Sequence, residues 1–125
     1  MANGTIAFDT LSTSGQISGT AVSVDADYLA YGSAKAWCVT TNQATVGNTF
    51  NVSSGTDNGA GDYSYALSSA LANSNIAATA NSFSNGDHSA SVHSSTTSAY
   101  SVALFNQNGS RYDVINGSIV FGDLA

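Results

Sequence analysis

Tyr63, Tyr65 and Leu67 occupy alternate positions of "DYSYAL" (62–67), and a repeat of two recurs along most of the chain. Period two sends neighbouring side chains to opposite faces, which a strand can use and a helix cannot. "SAKAWCVTT" (33–41) places Lys35, Trp37 and Val39 on one face and Ala36 and Cys38 on the other. Val22 and Val24, Phe50 and Val52, and Tyr100, Val102 and Leu104 repeat the spacing. Turn signals separate these runs at the intervals of a sandwich or barrel. The expected fold is therefore all-β: an antiparallel β-sandwich or jelly-roll-like domain over 21–125. Residues 1–20 carry few bulky side chains and are expected to form an extended N-terminal docking arm.

Asn116-Gly117, between "RYDVI" and "SIVFG", reads as a hairpin turn. Gln107-Asn108-Gly109 marks another tight connection. Residues 65–82 have room for at most one short helix near Leu67 and Leu71, because Ser and Asn crowd the segment. Residues 84–98 are polar and read as an exposed loop or an edge strand. Proline is absent, so sheet edges need protection of another kind, such as contacts between copies.

Leu, Ile, Val and Phe make up 25 of 125 residues, a thin supply of core material for one domain. Self-association into an obligate oligomer is the expected remedy. The net charge is −6, and Lys35 and Arg111 are the only Lys or Arg. So few cations exclude nucleic acid as a partner, and equally anionic membranes. No run approaches the ~18 apolar residues of a membrane-spanning helix, and no insertion is expected. The opening "MANGTIAFDTLSTSG" lacks the basic start and apolar stretch of a signal peptide, which implies synthesis in a cytoplasm without standard export. Cys38, the single cysteine, lies between Trp37 and Val39 and reads as a buried structural thiol; a nucleophile or a bridge between chains is the alternative.

The acidic residues are eight aspartates and no glutamate. Asp57, Asn58, Gly59, Gly61 and Asp62 form a Gly-rich turn whose Asx side chains cap it and whose glycines supply positive φ. As a calcium loop it fails after one ligand, since positions 59 and 61 are glycine. A carboxylate pair of the glycosidase kind would draw on Asp25, Asp27 or Asp62, and nothing in the sequence selects them. His88 and His93 fall on opposite strand faces, poor for chelation unless a threefold axis repeats one of them. No catalytic, cofactor-binding or metal-binding residue is assigned, and no enzyme activity is expected. Tyr63, Tyr65 and Trp37 are the candidate interaction face, open to a partner protein or a host glycan.

"AKAW" (34–37), "FNVSS" (50–54), "TDNGAGDY" (56–63) and "VFGDLA" (120–125), with the opening "MANGTIAFDTLSTSGQI", resemble a family of small tail-fibre-like and virion structural proteins of tailed bacteriophages from marine and freshwater sources. Residues 68–98 carry no part of the likeness. Cys38-Val39-Thr40-Thr41 departs from the family, which continues with valine and an N-F-N-G turn. The resemblance implies a β-rich, trimeric, non-enzymatic protein located in the virion and docked to other virion proteins. Tail fibres and appendages come first, capsid decoration (cement or head-fibre) second, and recognition of a host surface glycan third.

Overall fold

A computed structural model of the chain describes residues 16–18, 23–25, 31–42, 44–83, 86 and 88–123. The chain divides into two compact units, residues 1–32 and 33–125. In the first, β1 (Gln16–Ser18) pairs antiparallel with β2 (Ser23–Asp25). β1 and β2 both belong to this first unit. The arm expected over 1–20 lies outside the described residues except for Gln16–Ser18, which are strand.

The second unit is a sandwich of two four-stranded antiparallel sheets. One has the order β4-β3-β10-β7, built from β3 (Ala36–Asn42), β4 (Thr45–Phe50), β7 (Ala77–Ser82) and β10 (Asn116–Phe121). The other has the order β5-β6-β9-β8, built from β5 (Val52–Gly59), β6 (Asp62–Leu67), β8 (Ser89–Ser95) and β9 (Ala99–Phe105). Within β3 the period of two holds: Ala36, Cys38 and Thr40 are buried and Trp37 points outward, but Lys35, expected on the face of Trp37, is buried just before the strand begins. The polar stretch expected as a loop or edge strand supplies β8, an edge of its sheet.

The chain passes from one sheet to the other at Asn51, the only non-glycine among the described residues with a positive φ (56°). Asparagine tolerates that conformation because its short amide bonds locally. Here Nδ2 donates to the carbonyls of Lys35 (3.0 Å) and Ser69 (3.1 Å), and Oδ1 accepts from the Ser69 amide at 2.7 Å. The "FNVSS" stretch is thus a corner clamped by its own asparagine.

Between the sheets lie Ala36, Cys38, Val52, Tyr63, Tyr65, Leu71, Tyr100, Val102, Leu104 and Val120. Three tyrosines supply the bulk that the sparse Leu and Ile do not, each ring burying roughly 150–250 Å². A buried phenol needs a partner for its hydroxyl. Tyr65 donates to Asn116 Oδ1 at 3.0 Å, and Tyr100 shares a 2.8 Å bond with Ser118 Oγ. Cys38 Sγ lies 3.4 Å from Ser118 Oγ and 3.5 Å from the Tyr100 hydroxyl, a buried thiol as expected.

One local expectation is corrected. Asn116-Gly117 is no hairpin: both residues lie within β10, which pairs with β3 on one side and β7 on the other. Asn116 is fully buried and exchanges bonds with Thr40 Oγ1, its N–H at 2.9 Å and its carbonyl at 3.1 Å. Glycine at 117 lets the Phe83 ring approach, since a Cβ there would meet Phe83 Cε2 at 2.8 Å. Residues 65–82, given at most one short helix, form none. Leu67 ends β6, while Leu71 is held in the core by the Thr97 carbonyl at 2.7 Å.

Candidate functional site

The Gly-rich turn joins β5 to β6, with Gly59 at φ 128° and Gly61 at φ 61°. Asp57 Oδ1 accepts from the Gly59 amide at 2.9 Å, the Asx bond anticipated for a turn former. Asn58 Nδ2 donates to Ser64 Oγ at 2.7 Å across the hairpin. Asp57 is paired in register with Tyr63, one residue from Asp62, so strand alternation directs the two carboxylates to opposite faces. They do not converge on a shared proton or water.

Asp62 instead joins a small charged cluster. Its Oδ2 lies 3.0 Å from Arg111 Nη1 and its Oδ1 lies 3.3 Å from His93 Nε2. Arg111 also donates to the Gly61 carbonyl at 3.1 Å, and its guanidinium lies 5.5 Å from the centre of the Phe105 ring. Asp62 and Arg111 are part exposed, so their ion pair contributes only about 0–1 kcal/mol. His88 stands apart from His93, its ring 5.1 Å from that of Tyr112.

The stronger anchor of the turn is Asp113. Its Oδ1 accepts from the Gly61 amide at 2.6 Å and from the Tyr63 hydroxyl at 2.7 Å. Asp113→Ala removes the acceptor for two buried donors and is expected to cost about 2–3 kcal/mol, read as a lowered urea midpoint. Asp113→Asn keeps an acceptor oxygen and is expected to cost less. A midpoint unchanged in Asp113→Ala would show that the turn holds without this anchor.

The sequence-predicted interaction face divides. Tyr63 and Tyr65 are completely buried, so they belong to the core and offer nothing to a partner or a glycan. The correction has a local cause: Asp113 and Asn116 satisfy their hydroxyls inside the sandwich. Trp37 does face solvent, and around it lie Phe50, Ile119 and Phe83, which the sequence reading did not single out. Ile119 could have been found, because Ser118 and Val120 on either side of it are buried; Phe50 could not, because the alternation groups it with Val52, which is buried, and the corner at Asn51 separates the two.

Among the described residues, no three His, Cys or Asp side chains cluster as metal ligands would. No described helix is long and apolar enough to cross a membrane. A groove of about 300 Å³ runs between β7 and β8, lined by Ile76, Ala78, Val92, His93, Ser94 and Ser95. Its titratable lining side chain, His93, is the one that bonds Asp62. No protein-family model, curated protein or solved structure matches the chain.

Proposed function

We propose that this protein is a non-enzymatic structural component of a bacteriophage virion, resembling tail fibre or appendage proteins. It acts by assembly, as a trimer docked to other virion proteins. The observation that carries the reading is the outward, uncharged face around Trp37, which presents apolar surface to protein rather than a cleft to a substrate. The described carboxylates whose contacts are given above, Asp57, Asp62 and Asp113, fix turns and loops. The ordered marks from "AKAW" to "VFGDLA" support the phage assignment.

Gold-conjugated antibody against the protein, imaged on purified particles, tests this. Label at the tail supports the appendage reading, and label distributed over the head supports capsid decoration instead. Particles that carry neither label nor the protein's peptides in mass spectrometry would remove the virion role.

A further inference from the structure

The outer face of the β4-β3-β10-β7 sheet carries a cross-strand row of large apolar side chains. Trp37 on β3 is paired with Phe50 on β4 and with Ile119 on β10. Trp37 is 37% exposed, Ile119 40% and Phe50 51%. Beside the row lies a shallow groove of about 180 Å³, bordered by Trp37, Val39, Ile119, Asn81 and Phe83, with Gly117 at its floor. Phe83 itself is 51% exposed. One surface thus holds a projecting ring at one edge and a socket toward the other.

Its charge decides what fits it. The sequences of β3, β4, β7 and β10 contain no Asp, Glu, Lys, Arg or His. The chain as a whole carries −6. Asp57, Asp62, His93 and Arg111 all lie on the other sheet or its connections, and Lys35, just before β3, is buried with its Nζ donating to Ser33 Oγ at 2.9 Å. A basic or acidic partner would find no complementary group on the uncharged face. A second copy would find matching apolar surface, and the two molecules would meet without bringing their carboxylates together.

We propose that this face is the contact between copies of the chain, the Phe50 ring of one copy seating in the Gly117–Phe83 groove of the next. Around a threefold axis this contact is heterologous, the ring of each copy entering the groove of the next. Three copies are the ring size that matches the structural reading on which this inference rests.

Trp37, the only tryptophan, reports on the contact directly. Light scattering after size exclusion is expected to give a closed oligomer for the full chain, with tryptophan emission that shifts to the red on dilution. Phe50→Asp and Ile119→Asp are expected to weaken association at least ~30-fold and to abolish the dilution shift, with circular dichroism unchanged. Ser91→Asp, exposed on β8 of the other sheet, is expected to leave the mass unaltered. A monomeric wild type with dilution-independent emission overturns the proposal. So does an oligomer that survives both substitutions, and so does a two-fold dimer. Particle labelling is scored separately, so a labelled virion with a monomeric protein sinks this contact and leaves the virion role standing.

Discussion

Gly61→Val is expected to lower the stability of the sandwich by about 3–5 kcal/mol, combining left-handed backbone strain with overpacking. Gly61 sits at φ 61°, where a β-branched side chain is strained in any surroundings. Here the surroundings are backbone: a Cβ would stand 2.5 Å from the Leu104 carbonyl oxygen and 2.6 Å from the Tyr112 nitrogen. Neither can rotate away as a flexible side chain would. The residue also donates to Asp113 and accepts from the Leu104 amide at 2.9 Å, so moving it breaks the turn's attachment to β9. Gly109→Ala is the control: φ is 75° but nothing lies within 4 Å of the added methyl. It is expected to cost only about 1 kcal/mol. At roughly 4–8 °C per kcal/mol for a domain of this size, thermal melts separate the two variants plainly. Equal melting temperatures would show that the Gly61 turn can open without disturbing the sheets.

What the sequence discloses and what it hides follow from how far apart the interacting residues lie. The Asp57 turn bond spans two residues, and local rules find it. The alternation in 36–40 separates the buried Ala36, Cys38 and Thr40 from Trp37, because a strand's two faces are written in its own order, though it does not extend to the buried Lys35. The same alternation groups Tyr63 with Tyr65 but cannot say which way they face. That depends on Asp113 and Asn116, about fifty positions away, which make burial of a phenol tolerable. Asn116-Gly117 misleads for the same reason. Its local preference for a hairpin yields to pairing with both β3 and β7 and to the Phe83 ring lying where a side chain would stand. The Asp62–Arg111 pair was open to a cruder argument, since one of only two Lys or Arg residues in an aspartate-rich chain readily finds a carboxylate. The uncharged sheet needed topology, because its four strands are scattered from residue 36 to residue 121.

The tyrosine core sets an upper limit on pH. Burial raises the phenol pKa of Tyr63, Tyr65 and Tyr100 well above the usual range. The Asp113 carboxylate adds to the rise at Tyr63 and Cys38 adds to it at Tyr100, while the bond to Asn116 partly opposes it at Tyr65. In the unfolded chain each phenol ionises near pH 10. Because the folded values are raised, the stabilisation is complete below about pH 10 and is lost as pH climbs toward them. At pH 11 the expected loss is about 1.4 kcal/mol for each ring, or about 4 kcal/mol for the three. Against a typical domain stability of roughly 5–15 kcal/mol, that brings the sandwich close to unfolding. Urea midpoints are therefore expected to hold steady up to about pH 9.5 and then fall steeply. Tyr65→Phe lowers the midpoint at neutral pH by leaving Asn116 Oδ1 without its donor, yet it is expected to flatten the alkaline slope by about a third. Ionisation of the three phenols, followed at 295 nm, should coincide with loss of the β-sheet circular dichroism signal. Absorbance that rises to completion while the sheets stay intact would mean that water reaches these hydroxyls in the folded protein, and that the core is looser than its hydrogen bonds imply.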